Sequence, residues 1–178
     1  MKNGKKIRKI LLLVFLSGLL LNGCAAKEGS GEDADRPTAT VSIRCDTAVA
    51  NGMAEEDKWK GIIPEDGCIL PETEVEYSEG DTVFDLLCQV TVQYGIQMEY
   101  NGTAGKEYIE GIQNLYEYDG GRWSGWMYSV NGEYPGTGCG DCQVSDGDRI
   151  EWNYTCDLGM DLEGADMEDA AEWKETHE

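Results

Sequence analysis

Residues 125–156 constrain the fold more than any other stretch of this 178-residue chain. Gly125-Trp126-Met127-Tyr128-Ser129-Val130 alternates with the period of two that a half-buried strand requires. It sets Trp126, Tyr128 and Val130 on one face and Met127 with Ser129 on the other. Asn131-Gly132 follows directly. A tight hairpin turn holds both central residues at positive φ, a conformation Asn and Gly accept best. After Ser145-Asp146-Gly147-Asp148 a second alternating run covers 149–156, with Ile150, Trp152 and Tyr154 on one face and polar residues on the other. Two such strands need a partner layer for their apolar faces, which points to a sheet packed on something else.

The upstream sequence supplies that layer. Thr40-Val41-Ser42-Ile43-Arg44-Cys45 reads as a strand with Val41, Ile43 and Cys45 on one face, and Glu74-Val75-Glu76-Tyr77 alternates again. Between them, residues 46–70 mix Gly, Pro and charge and read as a long irregular excursion. Asp81 or Thr82 is placed to cap a helix whose Val83, Leu86, Leu87 and Val90 recur at helical spacing, and Gly95 is placed to end it. Shorter strands are expected at 96–100, 108–112 and 115–118. This order fits an α+β domain of β-grasp (ubiquitin-like) type, a mixed sheet packed on one helix with its first and last strands parallel neighbours.

The chain begins with Lys2, Lys5, Lys6, Arg8 and Lys9, then an apolar run that closes on Leu21-Asn22-Gly23-Cys24. A basic start, a short apolar middle and a small residue before the break are the parts of a secretory signal peptide. The run is shorter than the ~20 residues a membrane-spanning helix needs. Its end resembles the lipobox of bacterial lipoproteins, which implies that Cys24 is acylated and becomes the mature N-terminus. The expected organisation is then a signal peptide over 1–23, a disordered tether over 24–39, a folded domain over 40–158 and an acidic tail over 159–178 with a helical turn or two. A flexible tether of that length holds the domain roughly 20–25 Å from the membrane. The expected location is the extracellular face of the cell membrane, held by lipid.

The formal charge is −21, from 35 Asp and Glu against 14 Lys and Arg, and it grows more negative once the basic leader is removed. Such a surface repels nucleic acid and anionic head groups and favours a soluble monomer. Setting Cys24 aside leaves Cys45, Cys68, Cys88, Cys139, Cys142 and Cys156. An even number in an exported chain reads first as a disulfide framework. Adjacent first and last strands would bring Cys45 near Cys156, and Cys139 with Cys142 would close a small loop. Cys68 with Cys88 could staple the excursion to the helix; this pairing and Cys139 with Cys142 both rank behind Cys45 with Cys156, and Cys88 as a free buried thiol is a rival. Only Cys139-x-x-Cys142 has metal-ligand spacing and the single His177 lies in the tail, so no metal site is expected.

Catalytic patterns are missing from the sequence. It holds no Gly-x-Ser-x-Gly, no phosphate-cradling loop and no His-Glu-x-x-His, and Gly136-x-Gly138-x-Gly140 does not lie between a strand and a helix. No enzyme and no cofactor are expected. The aromatics carry more. Tyr116, Tyr118, Trp123, Trp126, Tyr128 and Tyr134 cluster around the Asn131-Gly132 turn. One reading buries most of them in the core. The other presents loop rings as a flat apolar platform for a planar ligand, built from Trp123, Trp126, Tyr128 and Tyr134.

Three segments resemble the transcobalamin-like C-terminal domain family. They are Glu79-Gly80-Asp81-Thr82-Val83-Phe84-Asp85-Leu86-Leu87, Ser124-Gly125-Trp126-Met127-Tyr128-Ser129-Val130-Asn131-Gly132 and Asp146-Gly147-Asp148-Arg149-Ile150-Glu151-Trp152-Asn153-Tyr154. The resemblance implies a β-grasp domain like the smaller domain of vertebrate cobalamin carriers, which covers one face of the corrin ring. The helical barrel that supplies the other half of the carriers' site is absent from this sequence. Together these readings point to a non-catalytic surface lipoprotein that binds an extracellular small molecule, with cobalamin or another corrinoid as candidate, and hands it to a membrane transporter. The alternative is an interaction module that engages a protein partner or a cell-wall polymer with no small ligand.

Overall fold

The computed structural model describes residues 36–165 and 167–177. The expected signal peptide, Cys24 and most of the tether lie outside the described residues. From the first strand onward the chain forms β1 (Thr38–Arg44), α1 (Asp46–Ala50), β2 (Cys68–Glu76) and α2 (Val83–Tyr94). Then come β3 (Met98–Asn101), β4 (Tyr108–Ile112), β5 (Leu115–Tyr116), β6 (Gly125–Val130), β7 (Arg149–Thr155) and α3 (Glu168–His177). The class is mixed α+β with two sheets. Four strands make one sheet in the order β2-β1-β7-β6, and β3-β4-β5 make a smaller antiparallel one.

β1 and β7 run parallel at the centre of the larger sheet, with Val41 opposite Ile150 and Ile43 opposite Trp152. β6 lies antiparallel to β7, with Tyr128 opposite Trp152 and Trp126 opposite Tyr154. The apolar faces anticipated from alternation therefore coincide. Val41, Ile43, Ile150, Trp152 and Tyr154 are all at 0–1% exposure, and Val83, Leu86, Leu87 and Val90 of α2 join the same core at 0%. Side chains of that size each contribute roughly 1.5–3 kcal/mol on leaving water, so this seam is the main source of stability.

α2 starts where the sequence places it because its first amides have partners. The Thr82 side chain accepts from the Asp85 amide, and the Asp85 carboxylate accepts from the Thr82 amide at 2.9 Å. The loop at 139–142 completes the cap. Its Cys142 and Cys139 carbonyls accept from the Val83 and Phe84 amides at 2.9 and 3.1 Å. Helix amides left without such acceptors would be costly to bury. Gly95 ends the helix at φ 67°, a left-handed position that a Cβ disfavours.

Several expectations need correction. Beside α2 the chain holds α1, which meets β7, as well as α3 and a second sheet. Residues 46–70, expected as a long irregular excursion, carry more regular structure than that. They hold α1, two short 3₁₀ turns (Met53–Glu55 and Asp57–Trp59) and the start of β2, and they bury Ala48, Met53, Trp59 and Ile63. These apolar residues follow no helical or strand period, so periodicity could not reveal them. The Asn131-Gly132 turn does form, with φ 56° and 86° and paired backbone bonds between Val130 and Glu133. Its return arm leaves after one bridge, however, and the true partner of β6 is β7, reached through the long connection at 133–148.

The cysteine pairings also differ. All six described cysteines are free thiols. Arg44 stands opposite Asn153 in the parallel register, so Cys45 is level with Tyr154 and Cys156 lies two residues further along. Two residues of strand amount to about 6.6 Å, which together with the strand spacing exceeds disulfide reach. The Cys156 thiol meets Thr47 Oγ1 at 3.8 Å instead. Cys139 and Cys142 also part. The Cys139 thiol is directed to the Glu107 carbonyl at 3.5 Å, whereas Cys142 lies beside the Tyr128 phenol.

Burial pushes the Cys45 thiol up to about 12. Its neutral form is thus favoured by folding, and the stability it contributes is intact below pH 9 and declines between pH 9 and about 12 as the unfolded chain alone loses the proton. The expected outcome is a urea midpoint that falls on raising the pH from 8 to 10, with a smaller fall in Cys45→Ala, followed by far-ultraviolet circular dichroism.

Candidate functional site

The outer face of the larger sheet is built from the alternate residues of the same strands. Arg44 of β1, Glu151 and Asn153 of β7 and Ser129 of β6 point away from the core. A solvated outer face would leave such residues exposed, yet Ser129 is 1% and Ser42 7% exposed. The segment that follows β7 covers part of this face. It turns at Leu158 and Gly159 with φ 54° and 84°, and later at Gly164 with φ 83°. Asp161 fixes it, accepting from the Cys156 amide at 2.8 Å and from the Thr155 hydroxyl. The Thr155 hydroxyl oxygen in turn accepts from the Gly159 amide at 2.7 Å.

Glycine is required twice along this crossing. A Cβ on Gly159 would lie 2.9 Å from the Met127 sulfur, and one on Gly164 would lie 2.8 Å from the Gly132 carbonyl. The second contact shows where the crossing ends, against the turn after β6. It therefore forms a roof that runs from the end of β7 to the Asn131-Gly132 turn. Beneath it is a cavity of about 640 Å³, with Arg44, Thr47, Ser129, Glu151 and Asn153 among its floor residues and Tyr134 and Arg149 at its side.

The electrostatics of this cavity are largely settled within it. Arg44 donates to both Asp46 carboxylate oxygens at 2.6 and 2.7 Å and to the Asp66 carbonyl at 3.0 Å. The forked contact to Asp46 raises its already high pKa, so it stays charged. Arg149 donates to Glu151 at 3.0 Å, and Ser129 donates to the other Glu151 oxygen at 3.3 Å. Asn153 donates to the Tyr134 phenol oxygen at 3.1 Å. Burial, with Glu151 and Asp161 nearby, raises the Tyr134 pKa and keeps the phenol protonated. Both guanidinium groups are matched by carboxylates, while Asp161 and Glu163 add negative charge at the roof.

The four aromatic residues expected to form a platform do not share one surface. Trp126 and Tyr128 are buried in the core. The Trp126 indole donates to the Leu115 carbonyl at 2.8 Å and meets Tyr154 edge-on at 5.2 Å. Tyr128 donates to the Thr137 carbonyl at 2.8 Å and tilts against Trp152 at 5.4 Å. Trp123 is covered by α3, whose Trp173 meets it edge-on at 5.2 Å, with the Arg122 guanidinium 4.5 Å from its ring. Tyr134 alone of the four lines the cavity. Sequence reasoning did not single out Arg44, Arg149, Glu151, Asn153 or Asp161. The signal for the β7 residues was present in the polar face of 149–156, but nothing local announced a roof over it. Among the described residues, no group of three or more His, Cys, Asp and Glu is arranged to hold a metal ion.

Residues 80–156 match the model of a family described as a domain of unknown function, DUF4430. The matched stretch holds α2, the smaller sheet, β6 and β7. No curated protein matches the chain. Among solved structures it is similar to a crystal structure from Ruminococcus gnavus ATCC 29149 of a protein to which metal binding is provisionally ascribed. The two share 17% identity, the alignment covers 67% of this chain and 96% of that one, and the TM-score is 0.39.

Asp161 is the fastening of the roof. Asp161→Ala is expected to cost about 1–2 kcal/mol through its lost charge-assisted hydrogen bonds. It should also speed hydrogen exchange of the Cys156 and Gly159 amides by at least tenfold while leaving β1 and β7 amides protected, as read by two-dimensional NMR.

Proposed function

We propose that this chain is a non-catalytic small-molecule binding module whose site is the roofed cavity on the outer face of the sheet. The observation that carries the reading is the gathering of polar side chains from three adjacent strands into one half-open groove crossed by the loop after β7. Its volume falls within the roughly 300–1,000 Å³ range of small-molecule sites. Its chemistry selects the ligand. Guanidinium groups already bound to carboxylates leave little attraction for an anion, and the roof carboxylates add repulsion. A neutral or cationic molecule rich in hydroxyl or amide groups suits Asn153, Glu151, Ser129 and the Tyr134 phenol.

The β-grasp reading is supported by the parallel pairing of β1 with β7 and by the burial of α2 in the same core. The transcobalamin-like resemblance rests on segments that lie almost wholly within the stretch matching DUF4430. A corrinoid remains the ligand that resemblance implies, and its amide-bearing rim would suit the polar floor. Its flat ring would find one aromatic wall, Tyr134, rather than four. In this proposal the chain is exported, acylated at Cys24 and held as a monomer on the extracellular face of the membrane, where it delivers its ligand to a transporter. Exposed Tyr108 and Tyr118, at 46% and 66% exposure, favour a second reading in which the domain engages a protein partner or a wall polymer.

Titration calorimetry with a soluble N-acetylglucosamine oligomer and, separately, with cyanocobalamin tests the site. Saturable heat with either probe is expected to weaken about tenfold in Asn153→Ala, the equivalent of ~1.4 kcal/mol. Heat that is unchanged in Asn153→Ala and Glu151→Gln, or no heat from either probe at millimolar concentration, sinks the reading. For the anchor, wild-type protein is expected in the detergent phase of a Triton X-114 extract and Cys24→Ser in the aqueous phase, since two or more acyl chains hold a membrane stably.

A further inference from the structure

The loop at 139–142 and the first turns of α2 meet at a place the proposed site does not use. The Cys139 carbonyl accepts from the Phe84 amide at 3.1 Å, which brings the Cys139 backbone onto the first turn of the helix. Cys88 is four residues beyond Phe84 and so stands on the same side of the helix, one turn up. Helical side chains lean toward the N-terminus, so the Cys88 thiol leans down over the turn that Cys139 caps.

The same side of α2 faces the smaller sheet. The Phe84 ring meets Tyr100 of β3 at 4.7 Å. Glu107, just before β4, supplies the carbonyl that accepts from the Cys139 thiol at 3.5 Å. The charge of Glu107 is felt at Cys88 and at Cys139 alike, and that of Cys88 at Cys139. One more observation marks the spot as tightly closed. Glu107 Oε2 is buried without a partner, and a Cβ on Gly140 would fall 1.8 Å from it. Two thiols, one half-buried and one at 4% exposure, thus lie in one junction between helix, loop and sheet.

We propose that Cys88 and Cys139, both free thiols in this structure, become a disulfide pair on oxidation by exchange with a protein or small-molecule disulfide, and that their bond then ties the start of α2 to the loop that caps it. In the exchange one thiol, as thiolate, attacks a sulfur of the oxidant's disulfide and displaces the other as a thiolate. The second cysteine then attacks the mixed disulfide at the first cysteine's sulfur. The chain loses two protons and two electrons, and the oxidant leaves as two thiols. Burial raises both thiols, and Cys139 at 4% exposure is the less accessible to an oxidant, so the half-buried Cys88 is the first attacker. The pairing closes a loop of about fifty residues, a length at which cross-linking narrows the unfolded ensemble appreciably.

The purified full chain is incubated in a glutathione redox buffer, quenched with acid, alkylated without reduction and digested for mass spectrometry. The expected product is a peptide pair joined between Cys88 and Cys139, abolished in Cys88→Ser and in Cys139→Ser. Addition of dithiothreitol should lower the melting temperature of wild type by several degrees more than that of Cys88→Ser. Cys139 found joined to Cys142 or Cys156, Cys88 joined to Cys68, or both residues recovered alkylated, overturns the proposal. So does a reductant effect on melting that is equal in wild type and Cys88→Ser. None of these readouts involves the cavity, so they stand or fall apart from the ligand-binding reading.

Discussion

The parallel pairing of β1 with β7 is the constraint on which everything else rests. It joins strands more than a hundred residues apart in sequence, and it puts Ile43 beside Trp152 at the bottom of the core. Loop closure on that scale costs entropy before any burial offsets it. The contacts that fix the fold are therefore non-local, and chains of this kind fold slowly relative to helical bundles of the same size. Once the seam is set, β2 and β6 add at its two edges, α2 is buried in the same core, and the outward residues of β1, β6 and β7 are brought side by side without further choice.

Much of this was legible in the sequence, and the reasons are local. Alternation in Gly125–Val130 and in residues 149–156 fixes which side chains are buried, because the pleat has a period of two and only one face can be dry. Asp81 or Thr82 and then Gly95 announce the ends of α2 because capping chemistry is short-range, and the structure takes Thr82 as the cap. The parts that were not legible depend on contacts between distant residues. Ala48, Met53, Trp59 and Ile63 are buried by a path with no period. Asn131-Gly132 correctly reports a turn but cannot report that the chain abandons the hairpin after it. Aromatic clustering in sequence did not translate into clustering on a surface, since Trp126 and Tyr128 found carbonyl partners inside the core and Trp123 found Trp173.

The cysteines show the same division. Their even number suggests bridging, but which sulfur meets which depends on register to the residue. One parallel register puts Cys156 beside Thr47 and away from Cys45, and one capping loop turns Cys139 toward Glu107 and away from Cys142. Even with the first and last strands parallel neighbours as expected, the wrong cysteine partners can be assigned when reach is limited to a few ångströms.

The covering of the cavity by residues after β7 divides labour within the chain. The strands that make the floor are committed to the core on their other side, so a substitution there risks the fold. The roof residues carry no such double duty. Asp161 fastens the crossing to Thr155 and Cys156, Gly164 lies against the Gly132 carbonyl, and Leu162 and Glu163 between them line the cavity. Diversification of what the domain recognises can therefore proceed by rewriting the short stretch between β7 and α3, with the scaffold left as it is.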